Sequence, residues 1–365
     1  MQEDPKLPLN PNLMKKHNFS AGPCILPQSV LLQASDAIKN FNGLDLSLVE
    51  ISHRSSDFVG VMDRARELAL ELMGLQGKGY SALFLQGGAS LEFLMVPYNL
   101  MSVNGKAAYL DTGTWSSKAI KEARLLGEVE VVASSKDGNY SYIPKGYSIP
   151  DGVDYMHCTS NNTIFGTQIK EFPETKAPLV CDMSSDIFSR QLDFSKFDLI
   201  YAGAQKNMGP AGTTLVIVKD EILGKTGRSI PAMLDYQVHI SKDSMFNTPS
   251  VFAVYVSMLT LEWLSKLGGI EAIEKKNKAK AKLLYDEIDR NPLFKGAAKE
   301  EDRSEMNVTF LLTDESRKEE FDRLCKNAGI NGINGHRSVG GYRASIYNAM
   351  PIESVQVLVD IMNKL

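Results

Sequence analysis

The chain is poor in cysteine, in long apolar runs and in any excess of one charge, and each shortage removes a class of protein. Four cysteines, Cys24, Cys158, Cys181 and Cys325, are scattered over 365 residues with no C-x-x-C pair. That spacing supports neither a zinc site nor a disulfide framework and suits reduced thiols in a cytoplasm. No stretch approaches the ~20 apolar residues of a membrane span, and the start, MQEDPKLPLNPN, is polar and proline-rich without the apolar core of a signal peptide. A cytoplasmic protein is the expectation. Lys and Arg total 40 against 44 Asp and Glu, a net charge of −4, so there is no broad basic field for nucleic acid, and any bound anion must be held by a local cluster of donors. The strings G-x-G-x-x-G and GxxxxGKS/T are absent as well, which removes the commonest dinucleotide and nucleotide loops. There is no internal repeat, and no metal is expected.

What is present is an α/β rhythm. Short apolar runs alternate with amphipathic helical patterns from about residue 55 to 220, the signature of βαβ units around a mostly parallel sheet. Seven runs bounded by Gly, Asn, Asp or Pro read as strands of one sheet: Ala82–Leu85, Ala107–Asp111, Val129–Ala133, Tyr155–Thr159, Leu179–Asp182, Leu199–Gly203 and Thr214–Val218. Asp57–Met73 reads as a helix stopped by Gly74, and Ser250–Leu267 as a buried helix ending at Gly268-Gly269. Beyond Gly269 the texture changes to a lysine-rich helix, Ile270–Ile288, whose lysines read as a solvated face, then a strand-like Asn307–Leu312 and helical stretches around Phe321–Ala328 and Ile352–Met362. The expected organisation is a flexible extension over 1–16, a large domain over 17–268 whose first segment packs on the small domain, and a smaller C-terminal α+β domain over 269–365.

Three strings could carry chemistry. FLQGGAS (84–90) is a strand stopping at a glycine pair before a helical pattern, a turn that can offer backbone N–H groups and a positive helix end to a phosphate, or can be only a turn. YAGAQKNMGPAG (201–212) puts Lys206 after a strand of small residues. A lysine there is either a desolvated, nucleophilic amine or one that snorkels to solvent. LVCDMSSDIFSR (179–190) ends a strand in Asp182, at the edge where open α/β sheets bind ligands, although a helix cap is the plainer reading.

Set beside NFSAGP (18–23), SHRS (52–55), GAQKNMGPAG (203–212), MFNTP (245–249) and GHRSVGGYRASIYNAM (335–350), these strings make the chain resemble the phosphoserine aminotransferases. They are a class V family of the fold-type I pyridoxal-phosphate enzymes, and the likeness runs from about His17 to the C-terminus. It implies that Lys206 binds pyridoxal 5'-phosphate as a Schiff base and then serves as general base, and that Asp182 pairs with the ring nitrogen. By the same likeness Trp115 stacks on the ring and Thr163 meets its phenolic oxygen. Backbone groups of Ala89 and Ser90, with Gln205, hold the phosphate, joined by Asn247 and Thr248 of a neighbouring subunit. A homodimer with shared sites follows. Arg343 is implied at the substrate α-carboxylate, and His53 and Arg54, with His336 and Arg337 of the partner, at the distal anion.

The reaction implied is exchange between O-phospho-L-serine plus 2-oxoglutarate and 3-phosphohydroxypyruvate plus L-glutamate, in serine biosynthesis, with 4-phosphohydroxy-L-threonine of pyridoxine biosynthesis as a further candidate substrate. Some relatives carry an arginine at the position of Ser90, so this chain lacks one anion contact. The alternatives are another class V enzyme, such as a serine–glyoxylate aminotransferase or a cysteine desulfurase, or a cofactor-binding regulatory protein without turnover.

Overall fold

The computed structural model describes residues 16–365; the expected extension over 1–16 therefore lies, but for Lys16, outside the described residues. Seven strands form the central sheet: β1 (Tyr80–Leu85), β2 (Lys106–Asp111), β3 (Glu128–Ser134), β4 (Tyr155–Thr159), β5 (Leu179–Asp182), β6 (Leu199–Gly203) and β7 (Thr214–Lys219). Their order is β1-β7-β6-β5-β4-β2-β3, and only β7 runs against its neighbours. All seven are the runs anticipated from the sequence, and the sheet is mostly parallel as expected. Strands β4, β5 and β6 are buried throughout, as strands covered on both faces must be.

The helices are α1 (Gln28–Lys39), α2 (Ser56–Met73), α3 (Gly88–Leu100), α4 (Thr114–Ala123), α5 (Tyr236–Ser241), α6 (Val251–Lys266), α7 (Gly269–Arg290), α8 (Lys318–Asn327) and α9 (Ile352–Met362). Helices α2 and α6 pack one face of the sheet, with Phe58, Met62 and Leu261 in its core. The other face is covered by α3 and α4 through Phe93, Val96 and Ile120. Ser55 caps α2 by accepting from the Phe58 N–H, and Gly74 ends the helix in the left-handed region at φ 65°, the conformation glycine adopts without strain. No single helix among the described residues is long and apolar enough to cross a membrane.

A second apolar cluster gathers Leu284, Val308, Phe321, Ala344, Leu358 and their neighbours. One strand was expected here; the structure forms a three-stranded antiparallel sheet, β8 (Phe294–Gly296), β9 (Asn307–Leu312) and β10 (Tyr342–Ser345), in that order. The N-terminal residues His17–Asn18 pair in parallel with Ile330–Asn331, and Phe19 enters the same cluster. Helix α7 joins the two cores: Ile270 and Ile273 lie in the large one, Ala281, Leu284 and Ile288 in the small one. Its lysines are mostly solvated as read from the sequence, but Lys280 is a correction, being only 2 % exposed.

Candidate active site

Parallel β1, β5 and β6 bring their C-terminal ends to one edge of the sheet, and the turns that follow them build a cavity of about 430 Å³. At the end of β5, Asp182 is buried and its Oδ1 accepts the Ser184 N–H at 2.9 Å. Burial pushes the carboxyl above the usual carboxylate range, against the Ser184 hydrogen bonds and the Lys206 charge that pull it down. Three residues past β6, the Lys206 amine donates to the Thr163 hydroxyl at 2.7 Å. Burial draws its pKa down to about 8, outweighing the opposite pull of Asp182, while the Arg343 charge adds to the lowering. At neutral pH a useful fraction of this amine is an uncharged nucleophile.

The glycine pair at the end of β1 starts α3. Gly87 and Gly88 take φ values of 99° and 65°, so the chain reverses sharply and presents Ala89 and Ser90 in the first turn of the helix to the cavity. The first N–H groups of a helix have no partner within it and carry the positive end of its dipole, so this wall has the donors that suit a phosphate. Gln205 lines the cavity beside them.

Trp115, in the first turn of α4, forms another wall. That turn is tied by Ser116, whose hydroxyl accepts the N–H groups of Thr112 and Gly113, each at 3.0 Å. The Lys206 ammonium lies 5.4 Å from the Trp115 ring centroid, and the indole Nε1 is buried without a hydrogen-bond partner.

Arg343 reaches the site from the small sheet. It stands on β10 opposite Thr309, donates from Nη1 to the Thr163 carbonyl at 3.3 Å, and is part-buried. Its Nε is buried without a partner, and no carboxylate among the described residues forms an ion pair with it. Thr163 thus carries Lys206 on its hydroxyl and Arg343 on its carbonyl.

The structure does not bring every expected residue to this cavity. Asn247 donates from its side chain to Gln86 Oε1 at 3.0 Å, and Gln86 in turn donates to the Thr248 carbonyl at 2.9 Å. Asn247 and Gln86 border a neighbouring hollow that includes Gly87, and neither Asn247 nor Thr248 lines the cavity beside Lys206. His53 and the exposed Arg54 sit in the turn before α2, and no hydrogen bond or ion pair among the described residues links either to Lys206 or Arg343. His336 and Arg337 lie in the loop before β10; burial lowers the His336 pKa, and the charges of Arg343, Arg337 and Lys118 lower it further.

Two neighbours of the site went unnoticed in the sequence. The Cys24 thiol donates to the Lys206 carbonyl at 2.6 Å, and burial pushes its pKa up to about 12. Behind Asp182, buried Arg190 donates to buried Asp186 at 3.2 Å. Arg190 and Asp186 lie inside LVCDMSSDIFSR and Cys24 directly follows NFSAGP, but the packing is what shows their contacts.

The donor set fits pyridoxal phosphate: a buried acid for the ring nitrogen, a desolvated amine for the aldehyde, an indole face for the ring and a helix start for the phosphate. Comparison with known proteins agrees. The class-V aminotransferase family matches residues 16–358. A phosphoserine aminotransferase of Flavobacterium johnsoniae is 74% identical over 352 residues, covering 96% of this chain and 99% of the relative; that of Parabacteroides distasonis is 59% identical over 353 residues, with 96% and 99% covered. Among solved structures, the phosphoserine aminotransferase of Bacillus circulans subsp. alkalophilus superposes with a TM-score of 0.93 at 43% identity, covering 96% of this chain and 98% of that one. The cofactor-bound enzyme of Trichomonas vaginalis gives 0.90 at 34% identity, with 96% and 100% covered. With site geometry, family match and near-complete coverage in agreement, the chain belongs to the class-V aminotransferases, among the phosphoserine aminotransferases.

Proposed function

We propose that the cavity catalyses transfer of the amino group of O-phospho-L-serine to 2-oxoglutarate, and the reverse from L-glutamate to 3-phosphohydroxypyruvate, in serine biosynthesis. The observation that carries this reading is Arg343, a part-buried guanidinium without an acidic partner among the described residues, joined through Thr163 to the Lys206 amine. An unpaired cation in such a place is stabilised by a bound anion, and a planar fork suits a carboxylate through two parallel hydrogen bonds. Pyridoxal phosphate, when bound, supplies the electrophilic carbonyl and the electron sink. The chain does the rest. Arg343 grips the α-carboxylate and so aims Cα at Lys206, whose amine takes the Cα proton. Asp182 would keep the ring nitrogen protonated, Trp115 would cover the ring, and the α3 amides of Ala89 and Ser90 with Gln205 would anchor the phosphate.

Phosphoserine and glutamate share an α-carboxylate and differ in the distal anion. Basic pairs His53–Arg54 and His336–Arg337 would receive it; the sequence resemblance put the first pair in its own chain's site and the second in the partner's, and the isolation of His53 and Arg54 from their own cavity supports instead a crossing of the first pair to a second copy of the chain. Asn247 and Thr248 would reach the partner's phosphate seat in the same way. The desulfurase reading finds no support: Cys24, the cysteine next to Lys206, is held on a carbonyl with its thiol pKa near 12, far from the thiolate that such chemistry needs.

The test is spectroscopic. Purified holoenzyme should lose its visible absorbance on addition of phosphoserine alone, and 2-oxoglutarate should restore it. Bleaching by plain serine as effective as by phosphoserine would remove the distal pocket from the scheme; 4-phosphohydroxy-L-threonine is the next donor to try.

A further inference from the structure

Lys280 is a buried lysine that the mechanism leaves unused. Its amine donates to two backbone carbonyls, Ile346 at 2.8 Å and Tyr347 at 2.6 Å. Among the described residues no carboxylate offsets the charge: burial draws its pKa down to about 7, with nearby Lys276 lowering it further and the Cys24 thiol acting in the other direction. A buried cation without a counter-ion costs stability, and an apolar residue of the same length would fill the space more cheaply.

The carbonyls it holds belong to the segment that leaves β10 directly after Arg343 and Ser345. One turn earlier on α7, Asn277 donates to Asn348 Oδ1 at 2.8 Å and to the Ser189 carbonyl at 2.9 Å. The same Asn348 gives its backbone N–H to Asn207 Oδ1 at 2.9 Å, and Asn207 is the residue after Lys206. The Asn348 side chain also donates to the Phe188 carbonyl at 3.1 Å, in the loop that follows Asp182. Residues 346–348 therefore form a node at which α7, the small sheet, the lysine loop and the acid loop meet, at the point where α7 passes from one apolar core to the other.

We propose that Lys280 and Asn277 are positioning residues, which clamp the 346–348 segment and thereby hold Arg343 of the small sheet in register with Lys206 of the large one. The inference rests on the transamination reading, in which one substrate must meet both groups at once. A displacement of about 1 Å between a binding group and a reacting group can cost up to a hundredfold in rate. The α-carboxylate is common to every amino donor, so loosening the clamp should penalise all donors alike. Loss at the distal pocket would instead discriminate between them.

The experiment compares wild type, Lys280→Met, Lys280→Arg and Asn277→Ala as holoenzymes, with kcat/KM for glutamate and for phosphoserine expressed per bound cofactor. Lys280→Met should lower both by about tenfold or more, with the visible absorbance retained and Lys280→Arg recovering much of the loss. Hydrogen exchange at the 345–348 amides should quicken in Lys280→Met and in Asn277→Ala. Unchanged kcat/KM per bound cofactor in Lys280→Met, or a fall confined to phosphoserine, overturns the proposal. If Lys280→Met does not fold, Asn277→Ala decides by the same two criteria. A wild-type enzyme that ignores phosphoserine but turns over glutamate would sink the substrate reading and still leave the glutamate arm to judge the clamp.

Discussion

Lys206 shows how one position acquires its chemistry. At a pKa of about 8 about a tenth of the amine is neutral at pH 7, whereas an ordinary lysine at about 10.4 has less than a thousandth. Because burial depresses this pKa, the nucleophilic form grows as pH rises through 8. Cofactor-free protein should consequently take up pyridoxal phosphate faster with rising pH and level off above that value, which a stopped-flow absorbance series would record. Lys206→Ala should show neither the absorbance nor turnover. Asp182→Asn should keep the fold and bind cofactor, but lose about two orders of magnitude in kcat, because a preorganised charge beside a reacting ring is worth that much or more; a loss below threefold in steady-state assays would count against its pairing with the ring nitrogen. Both residues stood out as candidates in the sequence because Asp182 ends a short apolar strand and Lys206 follows another by three residues. Lys280 was not: in the run EKKNKAKAKLL it looks like its solvated neighbours, and only the return of residues 346–348 buries it.

The element whose geometry matters most is the β1–α3 turn. At Gly87 an added Cβ would stand 2.6 Å from both Cβ and Cδ2 of Leu91, on top of a φ of 99°, while at Gly88 nothing lies within 4 Å and only the φ of 65° resists a side chain. Gly88→Ala should therefore cost about 1 kcal/mol from backbone strain alone. Gly87→Ala must also displace the first turn of α3, and should weaken cofactor binding more than its effect on the melting temperature of the cofactor-free protein would suggest. Titration of both variants with pyridoxal phosphate checks this; equal affinities would remove the turn from phosphate binding. The seven sheet strands were readable because fully buried strands are continuous apolar runs between breakers. Strand β10 was hidden, since Tyr342–Ser345 is only four residues long directly behind a Gly-Gly pair, too short for its alternation to count, and it is fixed as a strand by pairing with β9. Helix α1 starts after Pro27 with no side-chain cap, and α4 is tied by Ser116 from inside its own first turn, so neither carries the usual start signal.

At the scale of the whole molecule, one chain holds a cofactor cavity but only part of a substrate site. The turn bearing His53 and Arg54 follows exposed Leu46 and Val49, and Asn247 follows exposed Phe246. Exposed apolar side chains beside polar residues that do not reach their own cavity are what a second copy would cover. If Arg54, rather than the Arg337 expected from the sequence, serves the partner's cavity, Lys206→Ala and Arg54→Ala chains damage different sites. A hybrid dimer then has one site carrying both defects and one carrying neither. Random exchange of equal amounts makes half the dimers hybrid, so about a quarter of all sites should become intact and phosphoserine turnover should rise toward about a quarter of wild type. Were Arg54 to act within its own chain, every site in the hybrid would keep one lesion, and mixing would restore nothing.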